Sequence, residues 1–287
     1  MIDKSIQPIS GVHAIEVMAM GIEWVEPLNK QQLAKLQQVY ENSAELKVFL
    51  PQISTVKKLS IKQVHELPVG DQNEPRMVQP PQFISEDAGF DIRRIEIDGK
   101  LSWSASVHSE VLAFTCHKYD RWHLVKPNAL KVLTAIVEAA LACGAKIKVI
   151  GLQYQDCFKL TEGISPKITN ELFRRDGKWI PGHIFDEPSY WHSHQGWFSS
   201  GLGGRRILNN VNVDISDSEN TCLARIGGQH RVFSASFDGA QELPIDLNEL
   251  DNVLDFLHIE NKNVINNMLS DKALLSIGCK PKEVVNE

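Results

Sequence analysis

The stretch Gly89–Cys116, GFDIRRIEIDGKLSWSASVHSEVLAFTC, decides how the rest of the chain is read. Phe90, Ile92, Ile95 and Ile97 lead to Asp98-Gly99, a dipeptide that accepts the positive φ of a tight hairpin turn. Leu101, Trp103, Ala105 and Val107 then recur at period two, which places them on one face of a strand. A second turn near Ser109-Glu110 returns Val111, Ala113 and Thr115 against Leu112, Phe114 and Cys116. Short turns of this kind join antiparallel strands, because a parallel pair needs a crossover of a dozen or more residues.

Upstream, Val12–Val25 is apolar on both alternating faces, with Ile15, Val17 and Ala19 on one and Met18, Met20, Ile22 and Trp24 on the other. It predicts a central strand covered on both sides, although Glu16 and Glu23 limit its burial. Pro27 stops it, and Asn29 caps a helix carrying Leu33, Leu36, Tyr40 and Ala44 that ends near Pro51. A strand follows through Val56, Leu59 and Ile61. Residues 64–88, with Pro68, Pro75, Pro80 and Pro81, read as an exposed excursion.

Downstream of the meander, Pro127 and Gly144 bracket a helix whose stripe is Leu130, Leu133, Val137 and Leu141. A strand spans Lys146–Leu160, and Ser165-Pro166 opens a short helix with Ile168 and Leu172 on one face. Strands are expected at Trp191–Ser199, Arg205–Ile215 and Cys222–Phe237. A closing helix opens at Asp246, with Glu249 in capping-box spacing, and carries Leu250, Val253, Leu254, Leu257, Ile265 and Met268. Strands and helices segregate without βαβ alternation, which predicts an α+β fold of antiparallel sheets covered by helices. One large unit over 1–287 is expected, with two similar strand-helix-strands halves at 12–144 and 145–278.

Composition narrows the function classes. In 287 residues, 43% hydrophobic and 23% charged is ordinary globular usage, and a net charge of −6 provides no general attraction for polyanions. Five cysteines, odd in number and never in a C-x-x-C pair, predict reduced thiols, not a disulfide framework or zinc finger. Met1–Gly11 lacks a charged n-region followed by an apolar one, and no apolar run approaches 18 residues, so a soluble cytoplasmic protein is expected.

Three constellations carry candidate chemistry. His192 and His194 are two apart on a strand and share a face, so both rings can reach one metal ion, with His183, Asp186 or Glu187 completing the set. Neighbouring Trp191, Trp197 and Phe198 equally describe an aromatic packing patch around the same rings. Ser199–Gly204, followed by Arg205 and Arg206, offers backbone N–H groups and guanidinium groups to an anion, or simply turns a hairpin. Cys116 and His117 are sequence neighbours and point to opposite faces, which is wrong for a thiol–base pair. No P-loop, G-x-S-x-G or H-E-x-x-H string occurs, and no cofactor is expected.

Three further strings resemble a family of uncharacterised prokaryotic proteins known chiefly for its sporadic distribution among genomes. They are Leu112-Ala113-Phe114 with Lys118-Tyr119-Asp120-Arg121-Trp122; Ile150–Asp156, similar to the family's Gly-Leu-Arg-Tyr; and Leu250-Asp251 with Leu254–His258 and Asn261-Lys262. The likeness extends over about 12–275, and Gln153 stands where the family usually has arginine. The resemblance implies no established activity; the patchy distribution suits a mobile or phage-defence-associated gene. Tyr119, Trp122, Tyr154 and His258 are its candidate binding residues, and their aromatic bodies with polar tips also suit packing at a strand-to-helix corner. The expected function is a non-enzymatic binding or accessory protein whose partner is another protein or a second copy. A metal-dependent hydrolase using His192 and His194, and an anion or nucleic-acid binding module using Arg205 and Arg206, are the alternatives.

Overall fold

Period-two alternation sorts the strand residues onto two unlike faces, one under helices and one, the bare face, that no helix among the described residues covers. The computed structural model describes residues 5–62, 82–201, 203–218, 221–234, 242–243 and 245–279. Its elements run β1 (Ile6–Pro8), β2 (Ile15–Trp24), α1 (Lys30–Asn42), α2 (Ala44–Phe49), β3 (Gln52–Lys62), β4 (Gln82–Ile95), β5 (Leu101–His108), β6 (Val111–Cys116) and α3 (Trp122–Ala142). Then come β7 (Ile147–Leu160), α4 (Pro166–Leu172), a 3-10 turn (Gly182–Asp186), β8 (His192–Gly201), β9 (Arg205–Ser218), β10 (Thr221–Phe233), α5 (Leu247–Met268) and α6 (Asp271–Ser276). The fold is α+β.

All ten strands join one antiparallel sheet in the order β3-β4-β5-β6-β2-β7-β10-β9-β8, with β1 beside β2 along β7. The order repeats about the β2–β7 pair. On each side the first strand lies at the centre next to the last strand of its set, and helices carry the chain from that first strand out to the edge. No helix among the described residues is long and apolar enough to cross a membrane.

Met18, Met20, Ile22 and Trp24 of β2, Leu112 and Phe114 of β6, and Ile150, Leu152 and Tyr154 of β7 are buried beneath α1, α3 and α5. A continuous second cluster lies on the same face, where α4, α6 and the end of α5 cover Phe158, Val211, Val213 and Ile226. The sequence expectation that β2 is covered on both sides is therefore corrected: its other face is only half-buried, and Glu16 and Glu23 there bond Arg225 and Arg231 of β10.

Local signals held where chemistry is short-range. Asn29 Oδ1 accepts from the Gln31 and Gln32 N–H groups, while the Gln32 side chain accepts from the Asn29 N–H, closing a capping box. Gly99 turns the β4–β5 hairpin at φ +82°, and Gly144 ends α3 at φ +80°. Several boundaries differ. The first helix breaks at Ser43, whose hydroxyl accepts from Leu46 N–H and starts α2. Pro127 lies inside α3 and not in its first turn, because the helix begins at Trp122, drawn back by contacts that Trp122 and Lys126 make with α5. Its missing N–H falls next to the exposed first turns, where water can satisfy the freed carbonyl. Of the expected excursion, residues 64–81 lie outside the described residues, and 82–88 are strand, continuing β4 against β3. The last strand ends at Phe233; 235–237 lie outside the described residues.

Leu133 and Val137 are fully buried on α3. Leu133→Ala is expected to lower unfolding free energy by about 2 to 5 kcal/mol. Denaturant melts check this, and a neutral result would place the stripe away from the sheet.

Candidate functional site

Tyr119, Trp122, Tyr154 and His258 meet at one place, where the start of α3 and the middle of α5 cross the sheet. The Trp122 indole stacks on the His258 ring, with centroids 4.4 Å apart and planes 11° from parallel. Its Nε1–H donates to Asp255 Oδ1 at 2.7 Å, and Lys126 reaches Asp255 at 2.9 Å and Asp251 at 2.7 Å. Burial works against the Lys126 charge, but the two carboxylates outweigh it and hold its pKa above the ordinary value. The Tyr154 hydroxyl shares a 2.9 Å hydrogen bond with His258 Nδ1, and Tyr119 packs edge-on against Tyr154 at 6.0 Å. Desolvation depresses the His258 pKa to about 4, so its ring is neutral at neutral pH. Tyr154 is fully buried, and the polar tips face one another. This network pins α3 and α5 to β7.

Beside it, Asp156 is buried on β7, and its carboxyl group makes no hydrogen bond or ion pair with any described residue. Burial raises its pKa to about 7, so at neutral pH a large part of it carries a proton.

The other sequence candidates do not converge. His192 and His194 are exposed and lie on the bare face, in register with Asp214 and Asn212, while Trp191 and Trp197 project to the helix side. There Trp197 stacks on Trp179 at 4.2 Å and Trp191 meets Phe173 at 5.6 Å. The rings therefore do not pack among these tryptophans, because neighbouring strand residues face opposite ways. His194 Nδ1 instead bonds Asn212 Oδ1. The further ligand candidates are engaged elsewhere: Asp186 takes the Arg175 guanidinium at 2.9 Å, and Glu187 accepts from Ser189 Oγ at 2.8 Å. His183 stands exposed on the 3-10 turn. Among the described residues no group of three or more His, Cys, Asp or Glu could hold a metal ion. Arg205 pairs with Glu249 on α5 at 3.2 Å, whereas Arg206 lies over the Phe198 ring at 4.4 Å. Being adjacent on a strand, the two arginines face opposite sides and do not share an anion.

The bare face is what sequence reasoning missed. At its β7–β8 end lies a depression of about 290 Å³ whose lining is dominated by carboxamides: Gln153, Gln155 and Gln229, with Asn210 and Asn212. Gly227 leaves room between them, and no lysine contributes. Arg225 pairs with Glu16 at 3.5 Å, and Asp214 accepts from Ser216 Oγ at 2.8 Å, so the charges present are already engaged. A larger cavity of about 510 Å³ sits at the Asp98–Gly99 turn between exposed side chains such as Ile97, Lys100 and Lys118. It is the gap beside a hairpin tip, and Lys100 there is tied to Asp98. The period-two runs Asn210, Asn212, Asp214 and Gln153, Gln155 were visible in the sequence; that they flank β10 on one face was not.

No protein-family model and no curated protein matches this chain.

Two outcomes follow from this geometry. Tyr154→Phe removes the partner of His258 Nδ1 and is expected to cost about 1 to 3 kcal/mol in denaturant melts. Folded Asp156 holds its proton up to about pH 7, whereas the unfolded residue releases it near 3.8. Its contribution to stability is therefore greatest at the acid end and is lost as pH rises through that window. Asp156→Asn does not titrate, so its Tm relative to the native chain should climb between about pH 4 and pH 7. A flat difference would show that Asp156 ionises normally.

Proposed function

We propose that this chain is a non-enzymatic binding or accessory protein that engages another protein through the bare face of its sheet. The observation that carries the reading is the character of that face. A sheet covered on one side by helices commonly turns a solvated surface of charged and β-branched residues outward. Here the depression is lined mainly by amides around Gly227, which offer both donors and acceptors, while its Arg225 and Asp214 are already engaged with Glu16 and Ser216. Such groups suit the backbone and polar side chains of a partner protein.

A polyphosphate suits the face poorly. Arg225 and Arg231 point to Glu16 and Glu23, so a phosphate would have to displace carboxylates. At Gln153, where the resembling family usually has arginine, the exposed centre of β7 is uncharged. The sporadic distribution of that family supports a place in a mobile or phage-defence-associated system. The five free cysteines agree with action in the reducing cytoplasm.

Gln153→Lys and Gln229→Lys together place two charges in the depression without touching the helix side. Affinity capture from native lysate should enrich a defined protein on the unaltered chain and lose it at least tenfold on this variant. Salt-sensitive retention of nucleic acid in place of protein would overturn the reading.

A further inference from the structure

The two edges of the sheet are unlike. β3 carries Lys57 and Lys58 and a register shift between Val56 and Lys57. Lysines and irregularities of this kind keep an edge strand from pairing with another chain. β8, at the opposite edge, has neither. Its sequence HSHQGWFSSG contains no lysine, arginine, acid or proline, and it pairs with β9 from His192 to Gly201 without a register shift. Its outer side forms no backbone hydrogen bond with any described residue. Phe198 on this strand is 58% exposed. An uncharged, regular edge with an exposed aromatic is a strand prepared for pairing.

From this contrast we infer that β8 joins β8 of a second copy, antiparallel about a twofold axis at Gly196, so that the two sheets become one. A twofold axis perpendicular to the sheet keeps the bare faces of both copies on the same side. Residues of like parity then oppose one another: Gly196 meets its own mate, His194 lies opposite Phe198 of the second copy, and His192 opposite Ser200. No like charges meet, and glycine at the axis lets the backbones approach. The same operation on β3 would set lysines among lysines, which is destabilising across a strand pair. Charge thus selects β8 over β3. The pairing is isologous and uses up both β8 edges, while the guarded β3 edges stop further growth, so assembly closes at a dimer.

The pairing is independent of the depression on the bare face, and its test separates the two. Sedimentation equilibrium of the full chain at micromolar concentration should give twice 32.2 kDa. Phe198→Lys should raise the dimer dissociation constant at least tenfold with unchanged circular dichroism and Tm, while the Gln153→Lys, Gln229→Lys variant should dimerise normally. Opposed β-carbons in an antiparallel pair lie about 4.5 to 5.5 Å apart, near disulfide range. A mixture of His194→Cys and Phe198→Cys proteins should therefore cross-link to a heterodimer on mild oxidation. A mass of 32.2 kDa at every concentration overturns the proposal. So does a dimer indifferent to Phe198→Lys that yields no cross-link, or a monomer whose β8 instead takes a strand from a different protein.

Discussion

The antiparallel pairing of β2 with β7 is the constraint on which the rest of the molecule depends. It runs from Ile15 opposite Asp156 to Trp24 opposite Ile147 and joins the two strand sets into one sheet. Because side chains alternate, its register decides which residues go under the helices. Met18 lies opposite Tyr154 and Met20 opposite Leu152, and all four are buried. A slip of β2 by one residue would send Glu23 under the helices and turn the methionines to water. Each misplaced polar side chain would lose hydration without a partner, which makes the register strongly specified.

Over that sheet, polar groups fix the helices more narrowly than apolar packing alone. Lys126 between Asp251 and Asp255, and Tyr154 with His258, tie α3 and α5 to each other and to β7. Further along, buried His230 on β10 bonds Asn209 at 2.7 Å and Asn261 of α5 at 3.2 Å. Asn261 sits so low that a β-carbon at Gly228 would collide with its side-chain oxygen, so any larger residue there would have to displace that oxygen from His230. Directional bonds of this kind choose one rotation of α5 among several that would bury its leucines equally well.

The bare face keeps its order by a different device. Arg225 and Arg231 bond carboxylates two strands away on β2, crossing over β7. Cys157 and Val149 of β7 lie opposite Arg225 and Glu23, and both are buried although no helix covers them. Partly exposed ion pairs contribute only about 0 to 1 kcal/mol each, so their main effect is to shield that small apolar patch and neutralise the surface. What remains exposed between the pairs is glycine and amide, and at the β8 edge aromatic.

By itself the sequence determined the elements and much of their grouping. Period-two alternation from Gly89 to Cys116, the Asn29 cap and the Gly99 and Gly144 turns are local, and local chemistry survives folding unchanged. Tyr119, Trp122, Tyr154 and His258 were also visible as aromatic and histidine side chains with polar tips. The tertiary structure alone decided that they meet, because they come from the turn before α3, from α3 itself, from β7 and from α5, segments far apart in sequence. It likewise decided that one face of the sheet is bare and that β8 is an edge. Strand order and helix placement arise from contacts between distant segments, and no spacing within a single strand records which neighbour it will have.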